Sequence, residues 1–237
     1  MRWMPAISDH FNQRAGQPGP ALVMFDLDGT LIDSVPDLAA AVDSMLAQLD
    51  RPLAGVEKVS HWVGNGSEML VRRALADGNE LLAMALPVTE VEPARALFNE
   101  AYLGALNHAT GVFDGVQTLL DHLAAASVPM ALVTNKPRLF TEPLLVALGW
   151  QDTFVQVMCG DDLAEKKPSP APLLHVCEQL AITPASSLMV GDSRHDIRAA
   201  QAAGIATVAV TYGYNHGEDI ALSNPDWVVS RLDQLLA

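Results

Sequence analysis

Uninterrupted apolar runs recur along the chain, and several end in polar residues able to do chemistry. Ala21-Leu22-Val23-Met24-Phe25 carries no polar residue until Asp26, and similar runs occupy residues 130–133, 187–190 and 206–210. A mixed run covers 154–158 and a short one 227–229. Runs of this length without alternation fit strands buried on both faces, as in a parallel sheet. Helical patterns fill the intervals: 115–126, 139–148 with Gly149 as its stop, 171–180, and 196–203 with Gly204 as its stop. This alternation predicts an α/β fold with a Rossmann-like parallel sheet.

One interval breaks the rhythm. Between Ser34 and about Ala109 no strand pattern is visible. Ser34-Val35-Pro36-Asp37 reads as a helix start, and Leu38, Ala41, Val42, Met45, Leu46 and Leu49 then share one helical face. Residues 68–76 and 92–106 also read as helices. The expected organisation is an α/β core from 20–34 and 110–237, with an inserted helical cap over 35–109. The cap would lie above the C-terminal strand ends, where open α/β sheets bind ligands. Residues 1–19, ending in Gly16-Gln17-Pro18-Gly19, read as a flexible extension.

Composition narrows the function classes. Half of the 237 residues are hydrophobic and 18% are charged, enough for a sizeable core. With 28 Asp+Glu against 14 Lys+Arg, the formal charge is -14, which argues against a nucleic-acid partner. No apolar run approaches the ~20 residues of a membrane span. The N-terminus lacks the apolar stretch of a signal peptide, and the two cysteines, Cys159 and Cys177, make no disulfide framework. A cytoplasmic protein, monomeric or homodimeric, is expected. No histidine pairs with a cysteine at zinc spacing.

The chemistry sits at the ends of the apolar runs. Asp26-Leu27-Asp28-Gly29-Thr30 places two carboxylates one residue apart after the first run. Alone, this is a polar turn as readily as a nucleophile with an acid–base partner. Thr134-Asn135-Lys136-Pro137 follows the second run, and alone is an ordinary turn with a helix cap. Gly191-Asp192-Ser193-Arg194-His195-Asp196 brings two more carboxylates, whose simplest role is helix capping. Between them lies Glu165-Lys166-Lys167-Pro168. Together, Asp26, Asp28, Asp192 and Asp196 would converge on one pocket. Two like charges ~4 Å apart repel by roughly 4 kcal/mol at an effective dielectric near 20. Such a pocket needs a cation, and all-oxygen ligands favour Mg²⁺. A lysine, a hydroxyl and an amide beside it suit a phosphoryl group.

These four stretches, in this order, resemble the motifs of the haloacid dehalogenase superfamily of phosphatases, from about Ala21 to the C-terminus. The helical insertion is similar to that family's small cap. Within the superfamily, Asp33-Ser34-Val35-Pro36-Asp37-Leu38, His61-Trp62-Val63-Gly64-Asn65-Gly66, Arg72-Arg73-Ala74-Leu75 and Thr211-Tyr212-Gly213-Tyr214-Asn215-His216-Gly217 are most similar to bacterial phosphoglycolate phosphatases. The resemblance implies a Mg²⁺-dependent phosphomonoesterase releasing phosphate and glycolate from 2-phosphoglycolate. Asp26 would be the nucleophile and form an aspartyl-phosphate, and Asp28 the acid and then the base. Asp26, the Asp28 carbonyl and Asp192 would hold Mg²⁺. Thr134, Asn135 and Lys167 would bind phosphoryl oxygens, with Asp196 orienting Lys167 or a metal-bound water. Lys166 competes with Lys167, but the family motif puts its lysine directly before proline. In the cap, Gly64, Asn65, Gly66, Arg72 and Arg73 are the candidate contacts to a small phosphate-ester substrate. The alternatives are a phosphatase for another small metabolite, a phosphosugar mutase of the same fold, a dehalogenase and a non-catalytic binding module.

Overall fold

Residues 2–237 are described by a computed structural model. Helix α1 (Pro5–Ala15) precedes strand β1 (Leu22–Phe25). A two-residue strand, β2 (Ile32–Asp33), leads into α2 (Val35–Gln48), α3 (Gly55–Trp62), α4 (Ser67–Leu75), α5 (Glu80–Ala85) and α6 (Val88–Gly104). Strand β3 (Gly111–Val112) then returns antiparallel to β2. The remainder alternates: α7 (Val116–Ala125), β4 (Met130–Val133), α8 (Arg138–Ala147), β5 (Gln156–Met158), α9 (Ala171–Gln179), β6 (Ser187–Gly191), α10 (Arg194–Ala203), β7 (Ala206–Val210) and β8 (Trp227–Val229).

Six strands form one sheet in the order β5-β4-β1-β6-β7-β8, with every neighbouring pair parallel. Successive strand side chains face opposite layers, so both faces must be apolar. Val23, Phe25, Leu132, Leu188 and Val190 pack with Ile7 and Phe11 of α1 and Leu119 and Leu123 of α7. Leu22, Met24, Ala131, Val133 and Met189 pack with Leu173 and Val176 of α9 and with Ala199 and Ala200 of α10. The chain builds β4 and β5 to one side of β1, then β6 to β8 to the other. That reversal opens a crevice at the carboxyl ends of β1, β4 and β6, the place where such sheets take ligands.

The inserted helices share a hydrophobic cluster of their own, including Val42, Val59, Val71, Phe98 and Tyr102. Phe140 of α8 enters that cluster, 5.0 Å from the Tyr102 ring and edge-on at 71°. The two crossings are tied by buried Asp37, which accepts from the Ala109 and Thr110 amides at 2.8 and 2.9 Å and the Thr110 hydroxyl at 2.7 Å. No helix among the described residues is long and apolar enough to cross a membrane.

The N-terminal stretch departs from the sequence expectation. Instead of a flexible extension, residues 5–15 form a helix, with Ile7 and Phe11 fully buried against the sheet. Trp3 is buried too and bridges to Leu236. The polar residues Asp9, His10, Asn12 and Gln13 masked a short apolar pair at helical spacing. Phe11→Ala should therefore cost about 3 kcal/mol of unfolding free energy, as large-to-small changes in packed cores do. Urea unfolding followed by circular dichroism measures it. A loss below ~0.5 kcal/mol would return residues 1–19 to a detached extension.

Candidate active site

The Asp26 amide donates to the Val190 carbonyl at 3.0 Å, fixing the residue after β1 beside the end of β6. The chain then turns tightly, with the Leu31 and Ile32 amides both donating to the Leu27 carbonyl at 2.9 and 3.1 Å. Gly29 takes φ +85°, and a Cβ there would lie 2.3 Å from Asp192 Oδ2, so only glycine lets this loop meet β6. Asp192 stands at the end of β6. Its Oδ1 accepts from the Thr30 hydroxyl at 2.8 Å and its Oδ2 from the Tyr214 amide at 2.6 Å.

Lys167 is buried at the centre, with 2% of its surface exposed. Its ammonium donates to the Val133 carbonyl and to Asp196 Oδ1, each at 2.6 Å. It also lies 2.9 Å from Asp26 Oδ1, within ion-pair range although that oxygen completes no hydrogen bond. Asp196 Oδ2 accepts from the Ser193 amide at 3.0 Å and hydroxyl at 2.7 Å. Asp196 therefore spends one oxygen on the start of α10 and the other on orienting Lys167. Lys166, the competing lysine, is exposed and donates to the Asn65 carbonyl at 2.8 Å.

Crowding sets the electrostatics. Burial pushes the Asp26 carboxyl up to about 7; Lys167 opposes the rise and Asp196 adds to it. Asp192 is raised well above the usual carboxylate range by burial, then by Asp196 and Asp26. Burial disfavours the Lys167 ammonium, but Asp196 and Asp26 outweigh it and hold the group above its ordinary value. Oxygens of Asp26, Asp192 and Asp196 lie within 4.8 Å of one another. Asp26 Oδ1 lacks a hydrogen-bond partner, and the Asp28 carbonyl accepts no hydrogen bond among the described residues. An all-oxygen set with unspent lone pairs and uncompensated negative charge fits a hard divalent cation. Asp26, Asp192 and the Asp28 carbonyl are the members with capacity to spare.

Asp26 and Asp28 open onto a cavity of ≈ 40 Å³ between the sheet and the inserted helices. Thr134, Asn135 and Lys136 form its floor, while Val63, Gly64, Gly66, Ser67 and Leu70 line it from the insertion. The Thr134 hydroxyl oxygen accepts from the Lys136 amide at 3.1 Å, leaving its hydrogen for a guest. Asn135 spends its side-chain amide on the Gly64 and Lys167 carbonyls, both at 3.0 Å. What it can offer a phosphoryl oxygen is thus its backbone N–H.

Of the expected insertion contacts, Gly64 and Gly66 reach the cavity, but neither arginine lines it. Arg72 pairs with Glu68 at 2.8 Å and donates to the Ala83 and Leu86 carbonyls at the end of α5. Arg73 is buried, pairs with Glu80 at 2.7 Å and donates to the Trp62 carbonyl and Asn65 Oδ1. Both guanidiniums are consumed in holding the insertion together. Asn65 meets His195 at 3.0 Å, outside the cavity wall.

The sequence reading gave no role to Lys136 and Tyr102. Lys136 lies 3.1 Å from both Asp28 oxygens and donates to the Tyr102 hydroxyl at 2.7 Å. Burial opposes its charge, yet Asp28 keeps it above the ordinary lysine value. Tyr102 is pushed up to about 12, chiefly by burial, and stays neutral. Ser34 also donates to Asp28, at 2.5 Å. The position of Lys136, next to Asn135 at a strand end, was the available signal.

Comparison with known proteins agrees with this arrangement. The sequence model of the haloacid dehalogenase-like hydrolases matches residues 23–210. A phosphoglycolate phosphatase of Pseudomonas putida is 52% identical over 217 residues, covering 92% of this chain and 79% of its own. Phosphoglycolate phosphatase 1 of Pseudomonas aeruginosa is 52% identical over 218 residues, with the same coverage. A solved structure from Haemophilus somnus, described as a predicted phosphoglycolate phosphatase, is 37% identical and superposes with a TM-score of 0.84, over 90% of this chain and 95% of that one. With the four strand-end stretches assembled around one crevice and the match spanning most of the sheet, the chain belongs to the haloacid dehalogenase-like hydrolase family.

Proposed function

We propose that the chain is a Mg²⁺-dependent phosphomonoesterase whose preferred substrate is 2-phosphoglycolate, hydrolysed through a phosphorylated Asp26. The observation carrying this reading is the small cavity in which Asp26 and Asp28 are the two acidic side chains, closed by the Gly64 and Gly66 segment. The Gly64 and Gly66 segment stands over the two acids, where it bounds the leaving group a substrate can carry. The relatives named as phosphoglycolate phosphatases support the same substrate.

Asp26 is positioned by the Val190 carbonyl to attack phosphorus while the ester P–O bond breaks. Thr134, the Asn135 backbone N–H and Lys167 hold the phosphoryl oxygens, and Asp196 keeps Lys167 aimed. Asp28 must take up a proton before this step, and gives it to the departing glycolate oxygen. It then takes a proton from the water that cleaves the aspartyl-phosphate, releasing phosphate and restoring both carboxyl groups. Mg²⁺, held by Asp26, Asp192 and the Asp28 carbonyl, would offset charge that builds on the phosphoryl oxygens. The insertion covers one side of the crevice and so limits the access of bulk water to the leaving group.

Asp26→Asn removes the attacking oxygen and should lower kcat by at least ~10⁴-fold with an unchanged circular dichroism spectrum. Retained turnover in a clean preparation would remove Asp26 as nucleophile. EDTA should abolish phosphate release and Mg²⁺ restore it, while Ca²⁺ should inhibit by accepting both oxygens of a carboxylate and misaligning Asp26. Asp192→Ala should raise the Mg²⁺ concentration needed for half-activity; an unchanged requirement argues against Asp192 as a ligand. In a panel of hexose phosphates, glycerol phosphates, nucleotides and 2-phosphoglycolate, the last should have the highest kcat/KM. A hexose phosphate at the top would leave the phosphatase mechanism standing and discard this substrate.

A further inference from the structure

The cavity poses a charge problem that the phosphoryl-binding residues do not solve. Its lining carries two carboxylates, Asp26 and Asp28, and one cation, Lys136. Lys167 lies behind Asp26 and serves the phosphoryl side. A substrate that is itself a carboxylate brings a further negative charge next to Asp28. Arg72 and Arg73 do not line the cavity and pair instead with Glu68, Glu80 and backbone carbonyls.

We propose that Lys136, held by Tyr102, binds the carboxylate of the substrate's leaving group and sets the preference for acidic phosphate esters. This assignment rests on the substrate reading above. Its geometry comes from Asp28: the carboxyl group that protonates the leaving oxygen must adjoin that oxygen. Lys136 Nζ lies 3.1 Å from both Asp28 oxygens, so it too stands beside the leaving oxygen. In 2-phosphoglycolate the carboxylate carbon is two bonds from that oxygen, within reach of the same ammonium. The three hydrogens of this ammonium face the two Asp28 oxygens and the Tyr102 hydroxyl, so the substrate carboxylate would replace one Asp28 contact; a point charge tolerates that change of partner without the fixed fork of a guanidinium. Tyr102, fully buried, accepts from Lys136 at 2.7 Å and thus keeps its own hydrogen to donate into the cavity it lines. Lys136 follows directly on Thr134 and Asn135, so one strand end presents both the phosphoryl donors and the carboxylate partner.

The test compares 2-phosphoglycolate with 2-hydroxyethyl phosphate, in which a neutral CH₂OH replaces the carboxylate. The readout is the ratio of the two kcat/KM values, measured in the wild type, Lys136→Met, Lys136→Arg and Tyr102→Phe, with thermal melts as a check on folding. Lys136→Met should lower the ratio by about 10- to 100-fold, the loss of one charge-assisted hydrogen bond, and Lys136→Arg should recover part of it. Tyr102→Phe is isosteric and should lower the ratio by about threefold, which keeps the test open if Lys136→Met does not fold. A falling ratio also separates carboxylate binding from mere positioning of Asp28, which would slow both esters equally. A wild-type ratio near one would overturn the substrate reading and this assignment together. A high wild-type ratio left unchanged in the variants would overturn the role of Lys136 alone.

Discussion

A lysine ammonium at the bottom of a folded protein must meet its counter-charges there, and much of this site is arranged around that requirement. Lys167 is 2% exposed and Asp196 fully buried, yet their atoms approach to 2.6 Å. Removing one partner from such a pair typically costs about 3–5 kcal/mol, because the other charge stays buried without compensation. The pair is therefore a constraint on three strand ends at once. Val133 closes β4 and gives its carbonyl to Lys167, Asp26 follows β1, and Asp196 starts the helix after β6. A sheet that shifted one strand would leave this ammonium short of an acceptor. Asp196 and Asp26 keep Lys167 charged in spite of its burial and hold it stationary, as the proposed phosphoryl-binding role requires.

The insertion is held to the sheet by polar contacts concentrated on residues 61–66. His216 meets the His61 carbonyl at 2.9 Å, Asn135 donates to the Gly64 carbonyl, and Lys166 donates to the Asn65 carbonyl. Burial lowers His195 to about 4, so its neutral ring can accept from the Asn65 amide at 3.0 Å. Arg73 holds the other side of the same segment through Trp62 and Asn65. Each of these bonds is modest, about 0.5–1.5 kcal/mol net. A cover fastened this way can be stable when closed and still open for exchange, which a continuous apolar interface would resist. The Phe140–Tyr102 packing adds one apolar contact between α8 and α6.

How much of this was legible in the sequence depended on whether a residue's role is set locally or by what folds against it. Strands β1, β4, β6 and β7 were legible because burial on both faces leaves an uninterrupted apolar run. That Asp26, Asp28, Asp192 and Lys167 meet at one crevice was legible because each sits at the end of such a run or in a recognisable stretch beside proline. The helix around Phe11 was obscured by its polar face, and α3 and α5 are too short for a clear period. Arg72 and Arg73 were misplaced for a different reason. Their charge suggested an anion, but Glu68, Glu80 and the carbonyls at the end of α5 are met only after the insertion folds. Lys136 was overlooked for the converse reason: Asp28 and Tyr102, which define it, lie 108 and 34 residues away.

Counting charge across the whole crevice joins these observations. Asp26, Asp28, Asp192 and Asp196 face two buried ammonium groups, Lys136 and Lys167. Two positive charges are missing, and the deficit is concentrated at Asp26 and Asp192, whose carboxyls are driven upward by burial and by their neighbours. Asp28 and Asp196 each have a lysine at contact distance and contribute little to it. A single divalent cation matches both the size of the deficit and its position. The lysines thus divide the acids into two that serve geometry or proton transfer and two left with capacity for a metal. Replacing either lysine by a neutral residue would leave its aspartate partner in the crevice without a counter-charge and disturb that division.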